Sequence, residues 1–158
     1  MSHSRIRNIL NGALYDYSQS LPVDEQFHIE FNGVPNDVVA NKPFVKTHCL
    51  PVDTSDETLS GDIISFHGLF RIDILSRWFA GSDTSYNDEL AEKLFRLFRV
   101  NKMFYELDDD DNVVFETQII KPLHTLPSRK PTDGKDFVDW WVTPCNIEYV
   151  SNVSFPIQ

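Results

Sequence analysis

Residues 61–75 alternate over a longer run than most strands of globular proteins. The even positions are Ile64, Phe66, Gly68, Phe70, Ile72 and Ile74, and the odd ones include Ser65, His67, Arg71 and Asp73. Period two with one apolar face specifies a strand covered on one side and polar on the other. Such a strand needs a sheet beside it and a layer packed on its apolar face. A second strand pattern, residues 42–50, precedes it, and the polar stretch 51–60 joins the two. That connection is too long for a tight turn and too acidic to lie buried. The expectation is a large β-hairpin whose acidic loop stands out as a projecting arm or contact surface.

The flanking sequence supplies the covering layer. In residues 2–18, Ser2 or Ser4 can cap a helix that carries Ile6, Ile9, Leu10, Ala13, Leu14 and Tyr17 on one face. Residues 26–31 alternate as a short strand, ended by Asn-Gly-Val-Pro-Asn-Asp. Ser85 with Asp88 three residues on resembles a capping box, opening a second helix with Tyr86, Leu90, Ala91, Leu94, Leu97 and Phe98 as its apolar stripe. Residues 102–107 and 113–120 read as strands around an acidic tip, Asp108, Asp109, Asp110 and Asp111. A long loop, 122–135, leads to a last strand over 137–153, interrupted near Pro144, where the missing donor implies an edge or a bulge. The fold class expected is α+β: two helices packed on one face of a largely antiparallel sheet with a long β-hairpin arm. At 158 residues the chain is the size of one domain, 1–158, able to bury about 70% of its unfolded surface.

A formal charge of −10 argues against a protein that grips nucleic acid phosphates. It is compatible with DNA sliding past without sticking. Cys49 and Cys145 are too few for a disulfide framework or a four-ligand zinc site, so free thiols in a reducing compartment are expected. The start of the chain lacks the apolar run of a signal peptide, and no segment approaches the roughly 20 apolar residues of a membrane span.

Chemistry-bearing patterns have plain structural readings. Four adjacent aspartates, with Glu106 and Glu116 nearby, invite a divalent cation or a metal-dependent nuclease, but a calcium loop alternates its carboxylates around a glycine and ends in a bidentate glutamate. A solvated hairpin tip fits better. His48 and Cys49 are neighbours with Asp53 downstream, yet consecutive strand residues point to opposite faces and do not meet. His3, His28, His48, His67 and His124 show no metal-ligand spacing, and GxGxxG, P-loop and GxSxG patterns are absent. No catalytic, cofactor or metal residue is expected. Trp140 and Trp141 place one indole on each face of a strand, so one is covered by a loop or meets another subunit. Arg129, Lys130 and Lys135 form a basic loop in an acidic chain, either solvated or facing an acidic patch on a neighbour.

Several of these segments together resemble a known family. The opening Ser-His-Ser-Arg-Ile-Arg before a helix, then Pro43-Phe44-Val45-Lys46, Leu50-Pro51-Val52-Asp53-Thr54, Leu59-Ser60-Gly61 and His67-Gly68-Leu69-Phe70-Arg71-Ile72, look like the tail terminator-like proteins of long-tailed phages and prophages. The likeness covers the first 100 residues and continues beyond Phe104 as element order. It implies a non-enzymatic subunit of the virion tail, assembled in the bacterial host cytoplasm. Its copies would form a ring, six-fold in related tails, at the head-proximal end of the tail tube. Such a ring stops tube polymerisation and presents a face to the head–tail connector, and DNA passes its lumen without specific binding. A head–tail connector or another tail completion subunit is the alternative within the same class, and a nuclease using residues 108–111 with Glu116 the alternative outside it. Ring closure requires a heterologous interface. The residues expected there are Asp53, Thr54, Asp56, Glu57 and Leu59 of the arm, Trp141, and Arg129, Lys130 and Lys135 meeting acidic surface.

Overall fold

In the computed structural model, which describes residues 2–31, 42–56, 63–77, 83–128 and 140–154, two helices cover one face of a six-stranded sheet. Helix α1 (Ser2–Ser20) buries Ile6, Leu10 and Leu14 completely, with Ile9, Ala13 and Tyr17 flanking them. Four-residue spacing puts the three on one line, and removing each from water contributes roughly 1.5–3 kcal/mol. The Ser18 hydroxyl donates to the Phe27 carbonyl (3.0 Å) and accepts from the Phe27 N–H (3.2 Å), which closes the turn into β1 (His28–Phe31). Strand β1 lies parallel to β2 (Phe44–Asp56). The remaining pairings are antiparallel, β2 with β3 (Ile63–Arg77), β3 with β6 (Trp140–Ser154), β6 with β5 (Val113–Thr125), and β5 with β4 (Met103–Leu107). The order across the sheet is β1-β2-β3-β6-β5-β4.

The alternation of β3 is obeyed. Phe70, Ile72 and Ile74 are fully buried against the helices, and Arg71 and Asp73 face the other way. Rings of Phe70, Phe98 and Phe104 pack in series, tilted against one another with centroids 5.9 and 5.5 Å apart, between the sheet and the end of α2 (Ser85–Leu97). A smaller cluster, Phe44, Leu75 and Trp140 with Val142, lies on the opposite sheet face.

Four expectations need correction. Residues 51–56 are strand rather than loop: β2 passes a bulge at Val52 and pairs with β3 as far as Asp56 opposite Ile64. Because β6 flanks β3 from the other side up to Ser154 opposite Ile63, the extension is a three-stranded blade, and a neighbouring strand overrides the loop-like composition. Strand β5 likewise runs through Pro122 to Thr125, so the following loop begins later. Pro144 sits in a continuous, central strand, and the irregularity falls in its partner β5, where the register shifts between Ile119 and Lys121 and again before His124. The helix cap also moves by one residue: Asp83 Oδ1 accepts the Ser85 N–H (3.0 Å), and Thr84 Oγ1 donates to Asp88 Oδ2 (3.0 Å).

Candidate functional site

The end of the blade carries the arm residues that the structure describes. Asp53 pairs with His67, Thr54 with Phe66 and Asp56 with Ile64, and the Thr54 N–H donates to Asp53 Oδ1 (2.8 Å). Glu57 and Leu59 lie outside the described residues, as do Arg129, Lys130 and Lys135. Trp141 pairs with Ser76, nine positions along β3 from His67. At about 3.3 Å per residue it is some 30 Å from Asp53, so the two do not share one patch. The faces of the indoles are also settled. Trp141 is half-buried on the helix side, whereas Trp140 lies on the other face, edge-on to Phe44 at 5.1 Å and beneath the Arg77 guanidinium at 5.5 Å.

Across the face without helices, ion pairs join Lys46 of β2 to Glu30 of β1 (3.5 Å) and Lys121 of β5 to Glu148 of β6 (2.8 Å), while Asp73 of β3 receives Arg71 of its own strand (2.7 Å) and lies 3.8 Å from the His48 imidazole of β2. Partial burial of Glu30 and Asp73 makes these contacts matter more than exposed pairs. Two bulges, at Val52 in β2 and Ile120 in β5, lie on either side of Gly68 and Tyr149, which are paired in the central strands. They turn Val52 and Ile120 into solvent beside exposed Leu50 and a cleft of about 220 Å³. This apolar set escapes the sequence reading because bulges are not legible in a period.

On the helix side of the same line, the buried Tyr149 hydroxyl meets Cys49 Sγ (3.3 Å) and His3 Nδ1 (3.1 Å). Burial pushes the Tyr149 phenol and the Cys49 thiol above their ordinary ranges and holds the His3 imidazole below its own. Cys49 thus points to Tyr149 while His48 points to Asp73, the separation expected of strand neighbours. At the acidic tip, Asp108 Oδ1 accepts the N–H groups of Asp110 (2.9 Å) and Asn112 (2.8 Å), with Asp111 at φ 62°. The Asn112 and Asp110 donors hold the Asp108 carboxyl below the usual carboxylate range. That carboxylate builds the turn. Among the described residues, no three His, Cys, Asp or Glu side chains converge on a point suited to a cation.

A two-layer α+β domain with a polar, ion-paired sheet face and apolar side chains turned outward at bulges is a protein suited to contact with other subunits. The chain belongs to the phage tail terminator protein family, which matches residues 5–149. That family is structural and non-enzymatic in kind and assigns the chain a role in phage tail assembly, within the virion tail and in contact with other tail or head components. Ten solved chains match it, and one of them aligns over 100% of this chain and 99% of its own, with a TM-score of 0.69 at 17% identity. That likeness concerns the fold. No curated protein matches the sequence. Among the described residues, no helix is long and apolar enough to cross a membrane.

Proposed function

We propose that the chain, as one domain over residues 1–158, assembles into a ring of six at the head-proximal end of the tail tube, stops tube polymerisation and offers a face to the head–tail connector. The observation that carries this reading is the family match across residues 5–149. No chemical step is assigned to it. A charge of −10 per copy suits a lumen through which DNA slides without specific contact. The blade end, with Asp53, Thr54, Asp56, Glu57 and Leu59, is the proposed contact surface, and Arg129, Lys130 and Lys135 are proposed to meet acidic surface of a neighbour. Trp141 lies at the far end of the sheet and belongs to a separate contact if it serves in one.

Mass photometry of the purified chain, alone and with tube protein, tests the ring, and electron microscopy shows which tube end it decorates. The expected result is a closed oligomer that caps one end. A chain that stays monomeric at every concentration and leaves tube growth unchanged would overturn the reading.

A further inference from the structure

Both outer strands of the sheet are short, with one glutamate each, and lack the lysine or proline that would block edge-to-edge pairing outright. Strand β1 reads His-Ile-Glu-Phe and β4 reads Met-Phe-Tyr-Glu-Leu, without lysine or proline, and among the described residues no strand lies beyond either. Beside β4 the sheet layer has room. A groove of about 510 Å³ lies between β4 and a single stripe of α1, formed by Arg5, Asn8, Ile9, Gly12, Ala13 and Asp16, with the Arg5 guanidinium donating to the Glu106 carboxylate of β4 (2.8 Å) within it. A Cβ built at Gly12 would meet nothing within 4 Å, so the groove is not filled by this chain's own packing. An edge strand overhung by a helix is the geometry that accepts an added strand.

We infer that this groove receives β1 of a second copy, so that the sheet continues from one subunit into the next. The inference rests on the ring reading and names the surface that closes it. Direction decides the pairing. Strand β1 runs parallel to β2, and four successive antiparallel steps bring β4 back to the same sense, so β1 and β4 point the same way. Rotation about an axis along the strands then sets β1 of one copy parallel to β4 of the next, a head-to-tail contact that repeats until it closes. A parallel contact aligns the residues that enter each strand. Before β1 come Val23, 86% exposed, Asp24 and Glu25; before β4 come Arg99, Val100, 39% exposed, and Lys102. Acid therefore meets base and valine meets valine at the same end of the junction. Glu25 is paired within its own chain to Lys93 (3.4 Å), whereas among the described residues no ion pair occupies Asp24, Arg99 or Lys102.

The test uses two charge-reversed full chains, Asp24→Lys/Glu25→Lys and Arg99→Glu/Lys102→Glu, with folding checked by circular dichroism and assembly read by native mass spectrometry at low salt. Each alone should weaken self-association by at least about tenfold, because like charges face each other at every junction. Mixed one to one, they should assemble with alternating copies, since half of the junctions then pair the introduced lysines with the introduced glutamates and the other half keep the native acid-to-base pairing. Assembly of either variant as well as the unaltered chain overturns the edge pairing but leaves the ring reading standing. So does loss in both without recovery on mixing, or loss only in the β4-side variant, which would indicate a two-fold β4 to β4 contact. An unaltered chain that stays monomeric with tube protein present overturns both.

Discussion

Replacing Gly68 by alanine tests the tightest approach in the sheet. A Cβ at this position would lie 2.8 Å from the Leu50 carbonyl oxygen and would collide with the phenol end of Tyr149. The phenol cannot swing aside cheaply, because it is fully buried and bonded to both His3 and Cys49. In an open strand position the same substitution would stabilise the chain by about 0.5–1 kcal/mol through backbone entropy. Overpacking of a filled core costs about 1–3 kcal/mol, and disturbing the phenol's hydrogen bonds adds about 1 kcal/mol. The expected net loss is about 1–3 kcal/mol. For a chain of this length that is a fall in Tm of about 2–12 °C, readable by calorimetry or by urea unfolding at constant slope. Tyr149→Phe removes the atom nearest the new methyl, so the double variant should depart from additivity by more than about 0.5 kcal/mol. A Gly68→Ala chain as stable as the parent, or strictly additive effects, would refute the packing argument.

Asn87→Leu should cost about 1–3 kcal/mol in urea unfolding, since the buried amide donates to the Ile74 carbonyl (3.2 Å) and Thr143 Oγ1 (3.0 Å) and both bonds would be lost, leaving Thr143 only its Ser128 partner. Because burial lowers the folded-state pKa of His3, its neutral form is favoured by folding. Its contribution is present above the unfolded value of about 6.5 and is lost as pH falls from there through the lower folded value, so thermal scans of His3→Phe should show a flatter decline in that window. Cys145 has its thiol pushed up to about 12, first by burial and then by Asp73, and should resist alkylation at pH 8 until the chain unfolds, as mass spectrometry would show. Asp108→Ala should speed amide exchange at Asp110 and Asn112 and leave assembly unchanged, whereas lost assembly would give the tip a role in contact.

Local periodicity made the helix-facing row of β3, the buried stripe of α1 and the opposite pointing of His48 and Cys49 legible from the chain alone. Those features depend on neighbours within a few residues. The extension of β2 through Pro51 and Asp53 does not, since it requires β3 and β6 to run beside it, and neither pairing is written in residues 51–56. The same reason hides the placement of β6 between β3 and β5, and its register with β3 sets Trp141 beside Ser76, far from Asp53 and Thr54. Of the expected contact residues, Asp53, Thr54 and Asp56 do gather at one end of the sheet, and the basic loop lies outside the described residues.

Helix α1 touches both partners of the inferred junction. Its outer stripe walls the groove beside β4, and its last turn, through the two Ser18 bonds to Phe27, anchors the entry to β1. Nineteen residues at about 1.5 Å each make a strut of about 28 Å between these duties. The strut acts as a gauge. In the proposed ring, its length and tilt would set the angle between neighbouring copies, so lengthening α1 by a turn is expected to change how many copies complete the circle.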